Sequence, residues 1–440
     1  MLNILTNTTY RHLFLAQVIA LVGTGLATVA LGLLAFDIAG ADAGAVLGTA
    51  LAIKMIAYVG VAPIAAAFAE RLPRRTMLVS LDLIRAAVAL ALPFVTQIWE
   101  VYLLIFILQS ASAAFTPTFQ ATIPDVLTEE KDYTRALSLS RLAYDLESVV
   151  SPMLAAALLT VISFHSLFAG TVVGFLASAA LVVSVSLPTP KATERRSIYD
   201  RTTRGLRIYL ATPRLRGLLS LNVAVAAASA MVIVNTVVLV QAEFALTQRA
   251  TALALAAFGG GSMLAALLLP RLLDKVADRK AMLAGTTVLV FGLTLGVFAR
   301  SYTLLLPIWV VLGIGYSLAQ TPSGRLLRRS SQPEDRPALF AAQFALSHAC
   351  WLVTYPIAGW LGAKVGLTFT FASLAIIAAV ALVAATRLWP ANDPDEIEHI
   401  HDSLDPDHPH VVGAEPVTGG HRHAHAFVID SHHVEWPRVG

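Results

Sequence analysis

Runs of mainly apolar residues, each about 20 long, recur with polar punctuation from about residue 13 to about residue 388. At about 1.5 Å per residue, a helix of that length crosses the roughly 30 Å hydrocarbon layer of a bilayer. Twelve spans are predicted, at 13–39, 45–69, 76–97, 99–121, 135–162, 166–187, 216–242, 250–272, 281–299, 302–322, 337–362 and 367–388. The fifth and eleventh are long enough to tilt or protrude. The first exceeds the roughly 7–15-residue apolar core of a secretory signal, so it reads as a membrane helix. The pattern predicts an all-α membrane protein with a six-helix bundle over 1–187 and a linker over 188–215. A second six-helix bundle follows over 216–388, then a tail over 389–440.

Composition narrows the class. Of 440 residues, 57% are hydrophobic and 13% charged, against roughly 25% charged in a soluble domain. A soluble enzyme is excluded, and lipid is the expected solvent. The net charge of +3 comes with short, scattered basic clusters, so no continuous basic face exists for nucleic acid. Cys350 is the single cysteine, which excludes an internal disulfide, a CxxC pair and a thiolate zinc cluster. No GxxxxGK[ST] phosphate loop is present, so direct use of ATP is not expected, and neither enzymatic activity nor a cofactor is.

Lys and Arg in the connections orient the bundle, because cytoplasmic connections carry the excess. With the N-terminus cytoplasmic, the inner connections hold Arg71, Arg74 and Arg75, then Lys131 and Arg135, the run from Lys191 to Arg216, and later clusters around Arg279 and Arg328. The outer connections hold only Arg249, Arg300 and Lys364. Both termini are placed inside. The stretch 198–210 is expected to lie as an amphipathic helix on the inner leaflet.

Comparing the halves gives one repeat offset, 204 residues, which pairs Glu70 with Asp274, Arg75 with Arg279 and Pro152 with Pro356. Internal duplication with a site between the halves is a transporter architecture. The connection Ala66-x-x-x-Glu70-Arg71-x-Pro73-Arg74-Arg75 resembles the Gly-x-x-x-Asp-Arg-x-Gly-Arg-Arg loop of the major facilitator superfamily, with a weaker copy at Asp274, Lys275 and Arg279. The run Glu147-x-x-x-Ser151-Pro152-x-x-Ala155-Ala156 is similar to that family's fifth-helix antiporter motif, with every Gly replaced. Gly205 to Arg216 resembles the enterobactin-exporter-type branch, and a membrane domain followed by a His-rich tail is similar to NreB-type nickel-resistance exporters. The fourth helix lacks the arginine of proton-coupled drug exporters.

Ionisable groups near the bilayer centre cost at least about 2.5–3.5 kcal/mol each, so each is a functional candidate. In the fifth span, Arg141 and Asp145 stand at (i, i+4), with Glu147 beyond. They read either as a self-neutralising structural pair or as a carboxylate that alternately takes a proton and a cation, which couples two fluxes. His348 and Cys350 stand at the equivalent depth of the eleventh span and suit a transition metal, or are buried packing residues. Asp82 and Arg85 read as a structural pair. Lys54 is expected to snorkel or to meet a carboxylate such as Asp37.

The family resemblance implies a cavity lined by the first, fourth, seventh and tenth helices. Here these contribute Gln17, Thr24, Thr28, Gln109, Ser112, Gln120, Asn222, Asn235, Tyr316 and Gln320. The resemblance also implies that Glu70, Arg71, Arg74, Arg75, Asp274 and Arg279 act as a gating loop that latches helix ends.

The tail beyond about Pro390 is poor in apolar residues and is expected to be disordered. It holds His399, His401, His408, His410, His421, His423, His425, His432 and His433. His-rich tracts with interleaved acids read as a flexible site for borderline metals, or as a solubilising tail with incidental histidines.

The combined expectation is a monomeric secondary transporter of the bacterial inner (plasma) membrane. It exports a divalent transition metal, nickel or cobalt, in exchange for protons. The alternative cargo is an organic molecule such as a drug or siderophore, and a third reading is a metal receptor without transport.

Overall fold

The structure is a computed structural model. It describes residues 2–69, 73–127, 129, 132, 136, 139–140, 143, 147, 150–151, 153–187, 198–273, 276–332, 335–394, 396–401, 405, 410–412, 414–418, 420–430, 433 and 435–437. The helices are α1 (Thr8–Ala39), α2 (Ala43–Ala69), α3 (Arg74–Ala91), α4 (Ile98–Val126), α5 (Phe164–Val183) and α6 (Ile198–Ala211). They continue with α7 (Pro213–Val237), α8 (Gln248–Leu273), α9 (Asp278–Gly296), α10 (Tyr302–Gln320), α11 (Ser323–Arg329), α12 (Arg336–Lys364) and α13 (Leu367–Leu388). The described residues between 136 and 158 are also helical.

Among the described residues, nine helical stretches are long and apolar enough to cross a membrane. The first, Thr8–Val61, runs through α1 and α2, which a 3-10 turn at Gly40–Asp42 joins. Gly40 takes a φ of 54° there, a left-handed conformation that glycine adopts without a Cβ penalty. α9 falls outside the nine: it opens on Asp278, Arg279 and Lys280, and the fifth predicted span lies largely outside the described residues. Large apolar side chains point outward, with Phe94 at 78% and Leu267 at 71% exposure. In water such a surface would drive aggregation, whereas in lipid it is the solvated face.

The two halves repeat. The helix starts Thr8 and Pro213, Ala43 and Gln248, Arg74 and Asp278, Ile98 and Tyr302, and Phe164 and Leu367 keep the 204-residue offset to within one residue. Packing repeats with it: α1 lies on α5 as α7 lies on α13, α2 on α4 as α8 on α10, and α3 on α4 and α5 as α9 on α10 and α13. Across the halves α2 packs along α12. Glycines permit the approach, since a Cβ on Gly48 would stand 2.6 Å from the Tyr355 carbonyl oxygen.

The tail corrects the expectation of disorder. Its described residues form an antiparallel sheet of β1 (Glu396–His401), β2 (Glu415–Val417) and β3 (Gly420–Ala426) in the order β1-β3-β2. His399 pairs with His423 and His401 with His421. The reason is local: Glu-Ile-Glu-His-Ile-His and His-Arg-His-Ala-His-Ala alternate with the period of a strand, so their histidines share faces. Ile397, Phe427 and Ile429 then enter a core with Tyr209 of α6, Leu218 of α7, Leu339 of α12 and Trp389.

Candidate functional site

At mid-bundle the halves meet through side chains. Tyr58 of α2 lies 5.8 Å from Phe344 and 5.2 Å from His348 of α12, and His348 lies 5.6 Å from Trp351. The Trp351 indole donates a 2.8 Å hydrogen bond to the Ser229 hydroxyl of α7, which fixes its plane. The Lys54 ammonium sits 5.5 Å from the Tyr58 ring centre, within reach of a cation–π attraction. Lys54 also interacts electrostatically with Glu147 and with His348. Its partner is thus a carboxylate of the fifth predicted span rather than Asp37. Glu147 and Ser151 press on α1 where only glycine fits, because a Cβ on Gly25 would collide with both side chains.

Beside this centre a cavity in the N-terminal half is lined by Thr24, Thr28, Lys54, Gln109, Ser112 and Phe175. The buried Gln109 Oε1 has no protein hydrogen-bond partner. This arrangement offers aromatic faces, neutral hydroxyl and amide oxygens, and the Lys54 cation near one carboxylate, Glu147. A desolvated transition metal requires several converging lone pairs, and the Lys54 charge opposes it.

The sequence-predicted residues divide. Gln109 and His348 join the centre and its cavity. Gln17 instead accepts a 2.9 Å hydrogen bond from Ser140. The Asn235 amide donates to the Ala358 carbonyl at 2.9 Å, which ties α7 to α12. Asn222 is buried in α7, Tyr316 meets Phe258 edge-on at 5.6 Å, and Gln320 ends α10. A shared His348–Cys350 site does not form. His348 Nδ1 lies 2.6 Å from the Phe344 carbonyl, while Cys350 donates to the Leu346 carbonyl and interacts with Tyr209 of α6. Two positions apart on a helix, these side chains diverge. Arg141 and Asp145 lie outside the described residues. Lys54, Tyr58, Phe344 and Trp351 were missed as a set; a lysine and a tyrosine one helical turn apart in an apolar span are the signal that was available.

The loop arginines take equivalent places. Arg75 donates to the Val183 carbonyl in the last turn of α5. Arg279 donates to the Trp389 carbonyl at 3.0 Å and the Thr386 carbonyl at 3.4 Å, at the end of α13. Each cation sits where a helix end carries partial negative charge. Arg74 is buried, and Glu70, Arg71 and Asp274 lie outside the described residues. Asp82 and Arg85 do pair, with Ser178 donating to Asp82 at 2.7 Å.

In the tail, His399, His401, His410, His423, His425 and His433 converge. His421 shares the strand face, while His408 and His432 lie outside the described residues. Burial, and then the charge of neighbouring imidazoles, push His401 and His423 down to about 4, so both are neutral at pH 7.

Comparison with known proteins places the fold. Macrolide efflux protein A of Streptococcus pyogenes is 27% identical over 152 residues, a match spanning 32% of this chain and 37% of that protein. The protein of the same name from Enterococcus faecalis is 26% identical, over 32% of this chain and 47% of its own length. The chain therefore matches less than half the length of these curated relatives. Among solved structures, an inward-facing bacterial homologue of the human lysosomal transporter Spinster superposes with a TM-score of 0.69 at 13% identity, covering 87% of this chain and 97% of that one. The nucleoside transporter NupG gives 0.62 at 14%, covering 86% and 98%. The model of the Major Facilitator Superfamily matches residues 13–233 and 218–406. With its repeated halves, its lipid-facing apolar surface and this match along most of its length, the chain belongs to the major facilitator superfamily.

Proposed function

We propose that the protein is a secondary efflux transporter for a lipophilic organic molecule, taken up between its two halves and exchanged for protons. The observation that carries this reading is the aromatic centre of Tyr58, Phe344, His348 and Trp351 beside Lys54. Aromatic faces and a few placed polar groups suit an organic ligand. The relatives named macrolide efflux proteins support the same class, and so does the resemblance to enterobactin-type exporters. Nickel or cobalt as cargo through this centre finds no such support.

In this reading twelve spans cross a bacterial inner membrane as a monomer, with both termini cytoplasmic. The close α2–α12 contact then seals the outer side, and the centre opens inward. Glu147, in the field of the Lys54 charge, takes the coupling proton: a protonated Glu147 no longer attracts Lys54, and the rocking of one half against the other exposes each state to one side. The arginine contacts at the ends of α5 and α13 keep each half rigid during that motion.

Trp351 gives a direct binding test. Titrating the purified protein with macrolides and lipophilic dyes is expected to quench its fluorescence saturably, and Trp351→Phe to remove that component while preserving the fold. A titration with no saturable change across such compounds contradicts the proposal.

A further inference from the structure

Six imidazoles of the tail are arranged around a single point. His399 neighbours His401, His423, His425 and His433, with ring centres 4.6–4.9 Å apart. His410 neighbours the same four at 4.8–5.0 Å. Those four close a ring in the order His401, His423, His425, His433. Four in a ring and one on either side are the vertices of an octahedron.

The nitrogens agree with the rings. Nε2 of His399 lies 3.1 Å from those of His401 and His423 and 3.0 Å from that of His433. Nε2 of His410 lies 3.1 Å from that of His401 and 3.2 Å from that of His433. Hydrogen bonds among imidazoles do not account for this. Nδ1 of His399 faces the Ile397 carbonyl at 2.9 Å, that of His425 the Ala426 carbonyl at 2.9 Å, and that of His433 the Asp430 carboxylate at 2.9 Å. Each Nδ1 carries the proton of its bond, and in the neutral imidazole that metal ligation requires Nε2 is then the lone-pair nitrogen. With both rings neutral, the His399 and His433 lone pairs face each other at 3.0 Å, and the buried His425 Nε2 has no protein partner. A shared cation resolves all of these at once. The Asp430–His433 contact is also the outer carboxylate–imidazole bond that orients metal-bound histidines.

We propose that the tail holds one resident divalent first-row transition ion in six-coordinate, all-imidazole geometry, separate from the transported solute. Right-angle ligands 3.0–3.2 Å apart place the ion about 2.1–2.3 Å from each nitrogen, whereas tetrahedral zinc at about 2.0–2.1 Å sets its ligands roughly 3.3–3.4 Å apart and takes four. Six imidazoles at the longer spacing suit nickel, cobalt or iron(II) better than zinc. The ligands come from β1, the β1–β2 connection, β3 and the segment after it, so the ion staples the tail into one unit. Phe427, packed 5.0 Å from His399 and 4.6 Å from His433, links that unit to the core shared with α6 and α12.

The test uses full-length protein in detergent, stripped with a chelator, exposed to nickel, cobalt or zinc chloride and desalted. One nickel or cobalt per chain is expected by mass spectrometry, unchanged in His421→Ala and lost in the His399→Ala/His410→Ala double variant. Asp430→Asn keeps all six imidazoles and is expected to weaken binding about 10–100-fold, which covers the case of a double variant that fails to fold. The cobalt form should show the weak visible bands of six-coordination. Several ions per chain indifferent to these substitutions, an intense four-coordinate cobalt spectrum, or no retained metal would each overturn the proposal.

Discussion

Tyr58 of α2 and His348 of α12 lie with ring centres 5.2 Å apart, which makes them a side-chain contact between the two halves at mid-bundle. Such a contact has to break or slide if one half rocks against the other. The groups around it, Lys54 on one side and Trp351 on the other, are thus positioned to sense which state the bundle occupies.

Lys54 and Glu147 form the electrostatic pair of this centre. Neutralising one partner leaves the other charge uncompensated in a low-dielectric site. Glu147→Gln is expected to reduce proton-driven flux at least tenfold while substrate binding persists, and Lys54→Gln to reduce both. The double variant should recover thermal stability without recovering coupling, as read by melting temperature alongside flux at two imposed pH gradients.

Gly48 and Gly359 set the approach of α2 to α12. A side chain at Gly48 meets the Tyr355 carbonyl oxygen at 2.6 Å and the Gly359 Cα at 3.1 Å, both backbone atoms with little freedom to yield. Gly48→Val is expected to cost about 1–3 kcal/mol by overpacking and to hold the helices apart at this end. A cysteine placed nearby should label faster in the variant, and unchanged labelling would show that the contact is not a closed gate.

Asp82 is fully buried, bonded to Arg85 and Ser178, and the Arg85 guanidinium lies 4.1 Å from the Phe115 ring centre and 4.5 Å from that of Phe175. Asp82→Asn removes the carboxylate charge that faces the buried Arg85 guanidinium, at a cost of about 3–5 kcal/mol. The prediction is lost expression or a sharply lower melting temperature, with Asp82→Asn/Arg85→Met milder than the single change.

Asp393 anchors the tail. It receives hydrogen bonds from Trp389 at 3.0 Å and Arg329 at 3.2 Å, and lies 3.7 Å from Arg214. Asp393→Ala removes the acceptor that these groups share. The tail should then be cleaved by trypsin at Arg422 faster than in the unaltered protein, while the membrane helices resist as before.

Much of the fold was legible because lipid imposes a simple code: helices, long and apolar, with charge between them. The 204-residue repeat, glimpsed in Arg75 and Arg279, recurs in the helix starts and in the arginine bonds to α5 and α13. Asp82 and Arg85 were visible as a pair because (i, i+3) neighbours meet on one helix. Lys54 and Glu147 were not, since their meeting depends on how α2 and the 136–158 segment pack, and no local spacing encodes that. The tail was misread because its composition suggests disorder, while the period-two histidines of β1 and β3 encode strands. Even with that period noticed, the contributions of His410 and His433 depend on how the connecting segments fold back.

The central claim, proton-coupled export of an organic molecule through the Lys54–Glu147 centre, is tested most directly by flux in proteoliposomes. With an acidic interior, the protein should accumulate lipophilic organic compounds against a gradient, lose that accumulation when the pH difference is collapsed, and lose it in Glu147→Gln. Accumulation of nickel or cobalt with no organic flux, or organic flux indifferent to both the pH gradient and Glu147, would contradict the account.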